Sequence, residues 1–412
     1  MATISTLAGT QSGTDCLDSL YDDLVEVNAE VAAIAAGSGV LVSSNDTTVG
    51  YLNGKLVAGE GITLTEGTDG GNETLTISTG KTAIINGGME IAQRGTSFTS
   101  ATTPANSDDT FLLDRWILLS DGNDIVDVTQ QSAGGVSGNE NYVRLDVETA
   151  AKKFGICQVI ENKNCKGMIG GTVSLSFEAK VTNATKLSDI RAAVLAWAST
   201  ADTVTSDLVA TWEAEGTIIT PAANWTAENV AANLGVTTSW VKYTISGISI
   251  DTASAANIAV FIYQNNVATN DTAGIFLEIT NVQLEAGSVA TDFEYRQFGD
   301  ELAKCRRYYE RLTAGAAYTA FGSGVVESAT DAAIHISYNS KRVAPTFVQS
   351  NTRLWEGSVA PAADGIGGVT SIGLDCARLV ITATGGGMTT GRGVVFDANN
   401  NAAAYVELSS EL

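Results

Sequence analysis

Between residues 83 and 297 apolar side chains recur at every second position, in one short run after another, and no other feature restricts the fold so strongly. The runs are Val143, Leu145, Val147; Val173, Leu175, Phe177, Ala179, Val181; Ile258, Val260, Ile262; and Ile275, Leu277, Ile279, Val282, Leu284, with Ile245, Ile248 and Ile250 around a break at Gly247. A period of two places successive side chains on opposite faces of an extended chain, so each run reads as a strand with one face in a core. Gly, Asn, Asp and Ser separate the runs. The chain holds 42 Gly and only 4 Pro, which suits turns between many strands. About nine or ten strands in this stretch predict an antiparallel sandwich or jelly roll. Helix is scarce there; Ala222 to Leu234 has room for a turn or two of it.

The period lengthens in two places. Leu17, Leu20, Leu24, Val27, Val31 and Ile34 are spaced 3-4-3-4-3, a heptad stripe over residues 14–36 with Leu17, Leu24 and Val31 at a and Leu20, Val27 and Ile34 at d. Thr14 or Asp15 suits the N-cap, Asp18, Asp22 and Asp23 suit the positive helix end, and Gly37 and Gly39 end the helix. β-Branched residues at d favour three or more strands over two, so the expected partner is the chain itself, as a homotrimer. A lone amphipathic helix packed on its own domain is the alternative. Seven acidic residues and no Lys or Arg precede Lys55, so this end is also expected to dock on a basic surface of another protein. The second helical stretch starts with Asp300 as N-cap. Leu302, Cys305, Tyr309 and Leu312 give a 3-4-3 stripe of four turns at most, with Arg306 and Glu310 as an i,i+4 ion pair. Lys304, Arg306, Arg307 and Arg311 form the densest basic cluster, read as a solvated face or a counter-charge to another acidic part of the assembly, with an acidic ligand as the alternative.

Residues 61–78 read as a hairpin, with Ile62, Leu64, Leu75 and Ile77 on one face and a Gly-rich turn between. Candidate strands resume after 313: Ala316–Val326, Ala332–Tyr338, Thr346–Ser350, Gly368–Leu374, Arg378–Thr384, Gly391–Asp397 and Ala402–Leu408. The chain therefore reads as mainly β, in four parts: 1–40, a helical docking and oligomerisation segment; 41–82, a hairpin shaft or linker; 83–297, the jelly roll; and 298–412, a short helix plus a smaller β-sandwich.

Charge and chemistry exclude several functions. With 23 Lys and Arg against 46 Asp and Glu the net charge is -23, which argues against nucleic acid and anionic membranes as partners. No apolar run reaches the ~18–20 residues of a membrane span. The N-terminal residues lack the basic region and apolar core of a secretory signal, so assembly in a cytoplasm is expected. The five cysteines, Cys16, Cys157, Cys165, Cys305 and Cys376, include no CxxC pair, and His335, in an alternating run, is the single histidine. No metal site, cofactor or catalytic residue is expected, and the chain does not read as an enzyme.

Four stretches carry a resemblance. Ile85-Asn-Gly-Gly-Met-Glu-Ile-Ala-Gln-Arg-Gly-Thr-Ser-Phe98, followed by Leu113-Asp-Arg-Trp116, resembles the opening of a jelly-roll domain of bacteriophage tail-fibre and other virion fibre proteins, a domain similar to carbohydrate-binding modules. Asn281-Val-Gln-Leu-Glu-Ala-Gly-Ser288 through Thr291-Asp-Phe-Glu-Tyr-Arg296 resembles its closing strand. Glu301-Leu-Ala-Lys-Cys-Arg-Arg-Tyr-Tyr309 looks like the helix that follows it, and Lys341-Arg-Val-Ala-Pro-Thr346 with the ending Glu411-Leu412 resembles the tip domain of such fibres. The resemblance implies a trimeric virion protein that docks through its N-terminal part and recognises host-surface glycan. A head-fibre, collar or decoration protein is the alternative, and a polysaccharide depolymerase a remote one. Within the motifs, Asp114 is expected to pair with Arg115, Trp116 to pack, Gly287 to turn, and Leu284 and Phe293 to bury. Sugars stack on exposed aromatic rings. Trp212, Trp225 and Trp355, at loops or strand ends, are the candidate glycan platforms, while Trp116, Trp197 and Trp240 read as core.

Overall fold

The computed structural model describes residues 21–22, 24–26, 51–57, 62–67, 74–79, 82–132, 134, 139–250, 254–266, 274–383 and 385–412. The chain divides into two compact units, Met1–Gly80 and Lys81–Leu412. In the first unit residues 21–22 and 24–26 are helical, and Leu24 is exposed. Leu17, Leu20, Val27, Val31 and Ile34 lie outside the described residues. A single helical turn, α1 (Leu52–Lys55), precedes the antiparallel hairpin of β1 (Ile62–Gly67) and β2 (Thr74–Thr79). Leu64 faces Ile77 and Glu66 faces Leu75 in the register, which puts Leu64 and Leu75 on one face of the ladder, as the alternation requires.

The second unit contains two β lobes. The larger is built from β3 (Ser97–Phe98), β4 (Thr110–Phe111), β5 (Ile117–Ser120), β6 (Val126–Gln131), β7 (Tyr142–Val147), β8 (Phe154–Ile160), the short helix α2 (Asn162–Cys165), β9 (Thr172–Val181), β10 (Ile190–Trp197), β11 (Val209–Thr211), β12 (Thr220–Pro221), β13 (Trp225–Ala227), β14 (Val241–Ser249), β15 (Asn257–Gln264) and β16 (Phe276–Ala286). One six-stranded sheet has the order β13-β10-β15-β8-β5-β4 and the other β14-β9-β16-β7-β6-β3, all antiparallel. The chain passes from sheet to sheet at β8, β9 and β10 and again at β14, β15 and β16. This is the jelly-roll sandwich that the alternation predicts. Leu175, Phe177, Leu277 and Ile279 of one sheet meet Ile156, Val194, Val260 and Ile262 of the other in the core. Each such side chain contributes about 1.5–3 kcal/mol by leaving water.

The two sheets differ on their outer faces. Every residue of β8, β10 and β15 is buried, because the segment 198–236 folds back over that sheet. Leu208, Val209, Ile219, Trp225 and Ala231 pack there on Leu119, Val159, Leu195 and Phe261. Residues 222–234, where a helical turn or two is expected, contain no helix. Trp225 stands opposite Trp197 in the ladder, and Glu228 N–H bonds to Val194 C=O, so edge pairing holds the segment extended. The outer face of the other sheet is polar: Ser174, Ser176, Glu178 and Lys180 alternate with the core residues of β9.

The smaller lobe follows helix α3 (Phe298–Arg306). Its strands are β17 (Tyr309–Thr313), β18 (Ala320–Val326), β19 (Asp331–Ser337), β20 (Thr346–Ser350), β21 (Thr352–Trp355), β22 (Ala363–Ile372), β23 (Cys376–Ala383), β24 (Gly393–Ala398) and β25 (Tyr405–Ser409). Sheets β17-β25-β20 and β21-β24-β18-β19-β23-β22 pack around Ile334, Leu379, Ile381, Phe396, Val406 and Leu408. The expected four-turn helix is shorter than its stripe. It starts at N-cap Gln297, not Asp300, and ends at Arg306, and Tyr309 and Leu312 belong to β17, paired with Ser409 and Val406. Full ladder bonding to β25 replaces the last helical turns. Arg306 stands 4.0 Å from Glu310, whose closer partner is the buried Lys341 at 2.7 Å.

Helix α3 is tied to the jelly roll by Glu161, which accepts from Arg307 Nη2 at 2.7 Å and from Tyr308 Oη at 2.8 Å. Burial raises the Glu161 pKa, but these two bonds outweigh it and hold the carboxyl below its usual value. A carboxylate depressed in the folded state adds stability above its unfolded pKa, about 4.3, and loses it as pH falls through the lower folded value. The acid limb of a plot of thermal midpoint against pH is therefore expected to be shallower in Glu161→Gln; an unchanged limb would remove this contribution. Among the described cysteines Cys157, Cys165 and Cys305 are buried and Cys376 is exposed. Burial pushes the Cys157 and Cys305 thiols well up. A thiol reagent is expected to label Cys376 and spare those three in the native protein, and mass mapping of the labelled peptides checks it.

Candidate functional site

Of the three tryptophans expected to form platforms, the structure leaves one open. Trp355 is 43% exposed at the end of β21. The ladders place it in one row with Val395, Ser323, His335 and Arg378, across five strands of the smaller lobe. Trp212 is half-buried, edge-on to Phe261 and Tyr263. Trp225 is 5% exposed, 5.2 Å from the Trp197 ring, with Nε1 donating to Thr205. Trp225 cannot stack on a sugar, because the segment 198–236 carries it onto the outer face of the first sheet. Trp116 and Trp197 are core, as expected, while Trp240 is half-buried against Tyr142 at the sheet edge.

A cleft that the sequence did not single out opens on the polar face of the second sheet. Its lining is Ser176, Glu178, Lys242, Asn281, Asp292, Phe293 and Tyr295, and its volume is about 250 Å³. Four of these seven come from the closing motif. The floor is made by an irregularity in β16. Leu277 and Ile279 point into the core, yet so do Val282 and Leu284, so the parity changes between Thr280 and Gln283, where the register against β9 shifts. The extra residue is Asn281, at φ +52°. A bulge of this kind re-aims a side chain, and here it presents an amide beside Glu178.

The wall of the cleft is the segment 291–296, held by buried polar groups. Gln283 Nε2 donates to Asp292 C=O at 3.2 Å and its Oε1 accepts from Glu294 N–H at 2.9 Å. Glu285 accepts from the N–H and the hydroxyl of Thr291, both at 2.7 Å. Glu294 accepts from Thr82 N–H at 3.0 Å, and Arg296 donates to Ile84 C=O at 3.0 Å and to Thr82 C=O. With these groups turned inward, Phe293 and Tyr295 face the cleft as an edge-to-face pair 5.0 Å apart. Phe293 is thus half-buried, where full burial is expected, while Leu284 is in the core and Gly287 turns at φ +120°.

The electrostatics are those of a small polar site. Asn281 is 3% exposed, and its Oδ1 accepts from Asn139 Nδ2 at 3.0 Å. Its Nδ2 makes no hydrogen bond of normal geometry among the described residues, although it lies close enough to the Glu178 carboxyl and the Tyr295 hydroxyl to favour their charged forms. Buried donors are almost always satisfied, so one left open at a cleft points to a ligand group. Burial pushes the Glu178 carboxyl up, and the nearby Asn281 amide and Lys242 ammonium oppose that shift in part. Lys242 Nζ donates to Thr291 C=O at 2.5 Å and lies 3.6 Å from the Asp292 carboxylate. The described residues contain no group of three or more His, Cys, Asp or Glu able to hold a metal ion, and no described helix is long and apolar enough to cross a membrane.

No family model matches the chain, and no curated protein sequence is similar to it. Solved structures align with it at low similarity. The enzymatically active domain of tailspike protein 4 from bacteriophage CBA120 aligns with 50% of this chain and 21% of its own, at 14% identity and a TM-score of 0.30. A family 61 carbohydrate-binding module solved with β-1,4-galactotriose aligns over 50% of this chain and 99% of its own, at 13% identity and a TM-score of 0.27. A xylan-binding domain from Paenibacillus barcinonensis covers 44% of this chain and 97% of its own, at 12% identity and a TM-score of 0.27. This chain thus spans about a fifth of that tailspike chain.

Proposed function

We propose that the protein is a structural component of a bacteriophage virion fibre that adheres to host-surface glycan without cleaving it. The observation that carries the adhesive part is the cleft: a buried amide donor and a carboxylate on the sheet, walled by a segment that carries a second carboxylate and two aromatic rings. That combination bonds sugar hydroxyls and covers the C–H face of a sugar ring. The fibre assignment rests on the sequence resemblance, whose opening, closing and helix motifs all lie in this unit. In this reading the stripe Leu17, Leu20, Leu24, Val27, Val31 and Ile34 joins three copies and docks them on the particle. Three weak sites then act together, and avidity exceeds single-site affinity by about 10²–10⁴.

The full chain is expected to bind surface polysaccharide from its host in a pull-down and to sediment as a trimer. Asn281→Ala or Tyr295→Ala is expected to weaken single-site binding roughly tenfold, the loss of one good hydrogen bond or ring contact. A wild-type chain that retains no host polysaccharide would overturn the adhesive reading. A monomer in analytical ultracentrifugation would overturn the trimer.

A further inference from the structure

We propose that the cleft selects an uncharged sugar residue and refuses uronic and sialic acids. This rests on the adhesive reading and narrows it to a ligand chemistry. The argument starts from which groups in the cleft still have a bond to give. Asn281 Nδ2 can only donate, so it seeks a hydroxyl, ring or acetamido oxygen. Its Oδ1 is held by Asn139, which fixes the amide orientation.

The charged groups then set the sign. Lys242 is the cation of the lining, and its ammonium is already engaged by Thr291 C=O and by Asp292. Glu178 and Asp292 accept hydrogen bonds. Asp292 is exposed and paired with Lys242, so Glu178 is the carboxyl that a sugar carboxylate would meet, unable to donate to it when ionised and repelling it. Glu178 is half-buried, where like-charge repulsion is least screened. A neutral sugar gives its hydroxyl protons to these acceptors, whereas an acidic sugar brings a carboxylate against them. The Phe293 and Tyr295 rings supply the apolar wall that a hexose C–H face or an acetamido methyl covers. The volume, about 250 Å³, lies just below the ~300–1,000 Å³ range of ligand pockets, which fits a terminal or single internal residue.

The test is titration of the full chain with matched oligosaccharides. The neutral set ends in glucose, galactose, N-acetylglucosamine or N-acetylgalactosamine; the acidic set ends in glucuronic, galacturonic or sialic acid. At least one neutral probe is expected to bind, and its acidic counterpart to bind roughly tenfold more weakly or less. Asn281→Ala and Tyr295→Ala should weaken the neutral probe, while Glu178→Gln with Asp292→Asn should narrow the gap between neutral and acidic probes. Circular dichroism confirms that each variant is folded. Acidic probes binding as well as neutral ones would overturn the selectivity. Neutral binding unchanged by Asn281→Ala and Tyr295→Ala would overturn the cleft as the site while leaving glycan adhesion standing. No binding by any probe to the wild-type chain would overturn the adhesive reading and this inference with it.

Discussion

Glu411→Ala is expected to destabilise residues 81–412 by about 3–5 kcal/mol, the cost of stripping the partner from a buried charge. Glu411 lies second from the end of the sequence, yet its carboxylate is inserted between Arg94, at 3.1 Å, and Arg115. Both arginines are almost fully buried. Arg94 lies 3.5 Å over the Tyr309 ring and Arg115 lies 3.8 Å over the Tyr308 ring. Arg115 Nη2 also donates to Val159 C=O at 2.6 Å, and Arg342 donates to the backbone of Ser410 and Glu411. Removing the carboxylate leaves both guanidinium groups without an ion-pair partner within 4 Å among the described residues, with Asp114 the other carboxylate acting on Arg94. Glu411→Gln, which keeps acceptor geometry without charge, should fall between wild type and Ala. Urea denaturation of the three proteins measures the order, and a Glu411→Ala midpoint equal to wild type would refute it.

The same cluster draws together residues from several of the stretches that carry the resemblance. Arg94 belongs to the opening motif, Arg115 to the Leu113–Trp116 stretch, Tyr308 and Tyr309 to the helix motif and Glu411 to the ending. They meet at one junction between the lobes. The expected pair of Asp114 with Arg115 does not form. Arg115 sits at φ +70°, which turns it toward Glu411, while Asp114 accepts from Gln93 N–H at 2.7 Å and Nε2 at 2.6 Å. Neighbours in sequence gave the natural pairing to expect, and a partner 296 residues away leaves no local mark.

The fold was legible because alternation is a local property. Many strands of both lobes follow from it, though not β13 and β17, which fall in stretches read as helix, nor β21. The three-residue step from Ile279 to Val282 already marked the bulge that builds the cleft. What alternation hides is the second face. In β10 and β15 the residues out of phase with the core are Ala193, Leu195 and Trp197, and Ala259, Phe261 and Tyr263, as apolar as those in phase. A strand apolar on both faces belongs to a sheet covered on both sides. Attention to that pattern would have predicted the cover and placed Trp225 beneath it. The helix after Asp300 failed for a related reason. A 3-4-3 stripe of four residues is too short to separate a long helix from a short helix followed by a strand. The cleft itself left less trace, since the left-handed backbone of Asn281 and its open donor follow from the bulge rather than from residue type.

Gly87→Ala is expected to cost about 1–3 kcal/mol through overpacking, or more where the neighbour is backbone and cannot turn aside, and to weaken the cleft as well. A Cβ at Gly87 would stand 2.1 Å from the Val282 carbonyl oxygen, a separation that no side-chain rotation relieves. The close approach exists because Val282 N–H bonds to Gly87 C=O at 3.0 Å, which pins the opening motif to the bulge. Next in line, Gly88 C=O accepts from Asn139 Nδ2 at 2.8 Å, and the same amide reaches Thr280 Oγ1 and Asn281 Oδ1 at 3.0 Å each. Opening and closing motifs therefore hold Asn281 from two sides. If the backbone at 87 moves away to admit a methyl group, the bulge moves with it, and Asn281 loses its set orientation. Neutral-sugar affinity should fall in Gly87→Ala even under conditions where the variant stays folded. A substitution outside this chain of contacts, such as Cys376→Ser on the smaller lobe, should leave affinity at the wild-type value. If Gly87→Ala lowered the unfolding midpoint and left affinity unchanged, the bulge would be held by β9 alone and the opening motif would serve stability only.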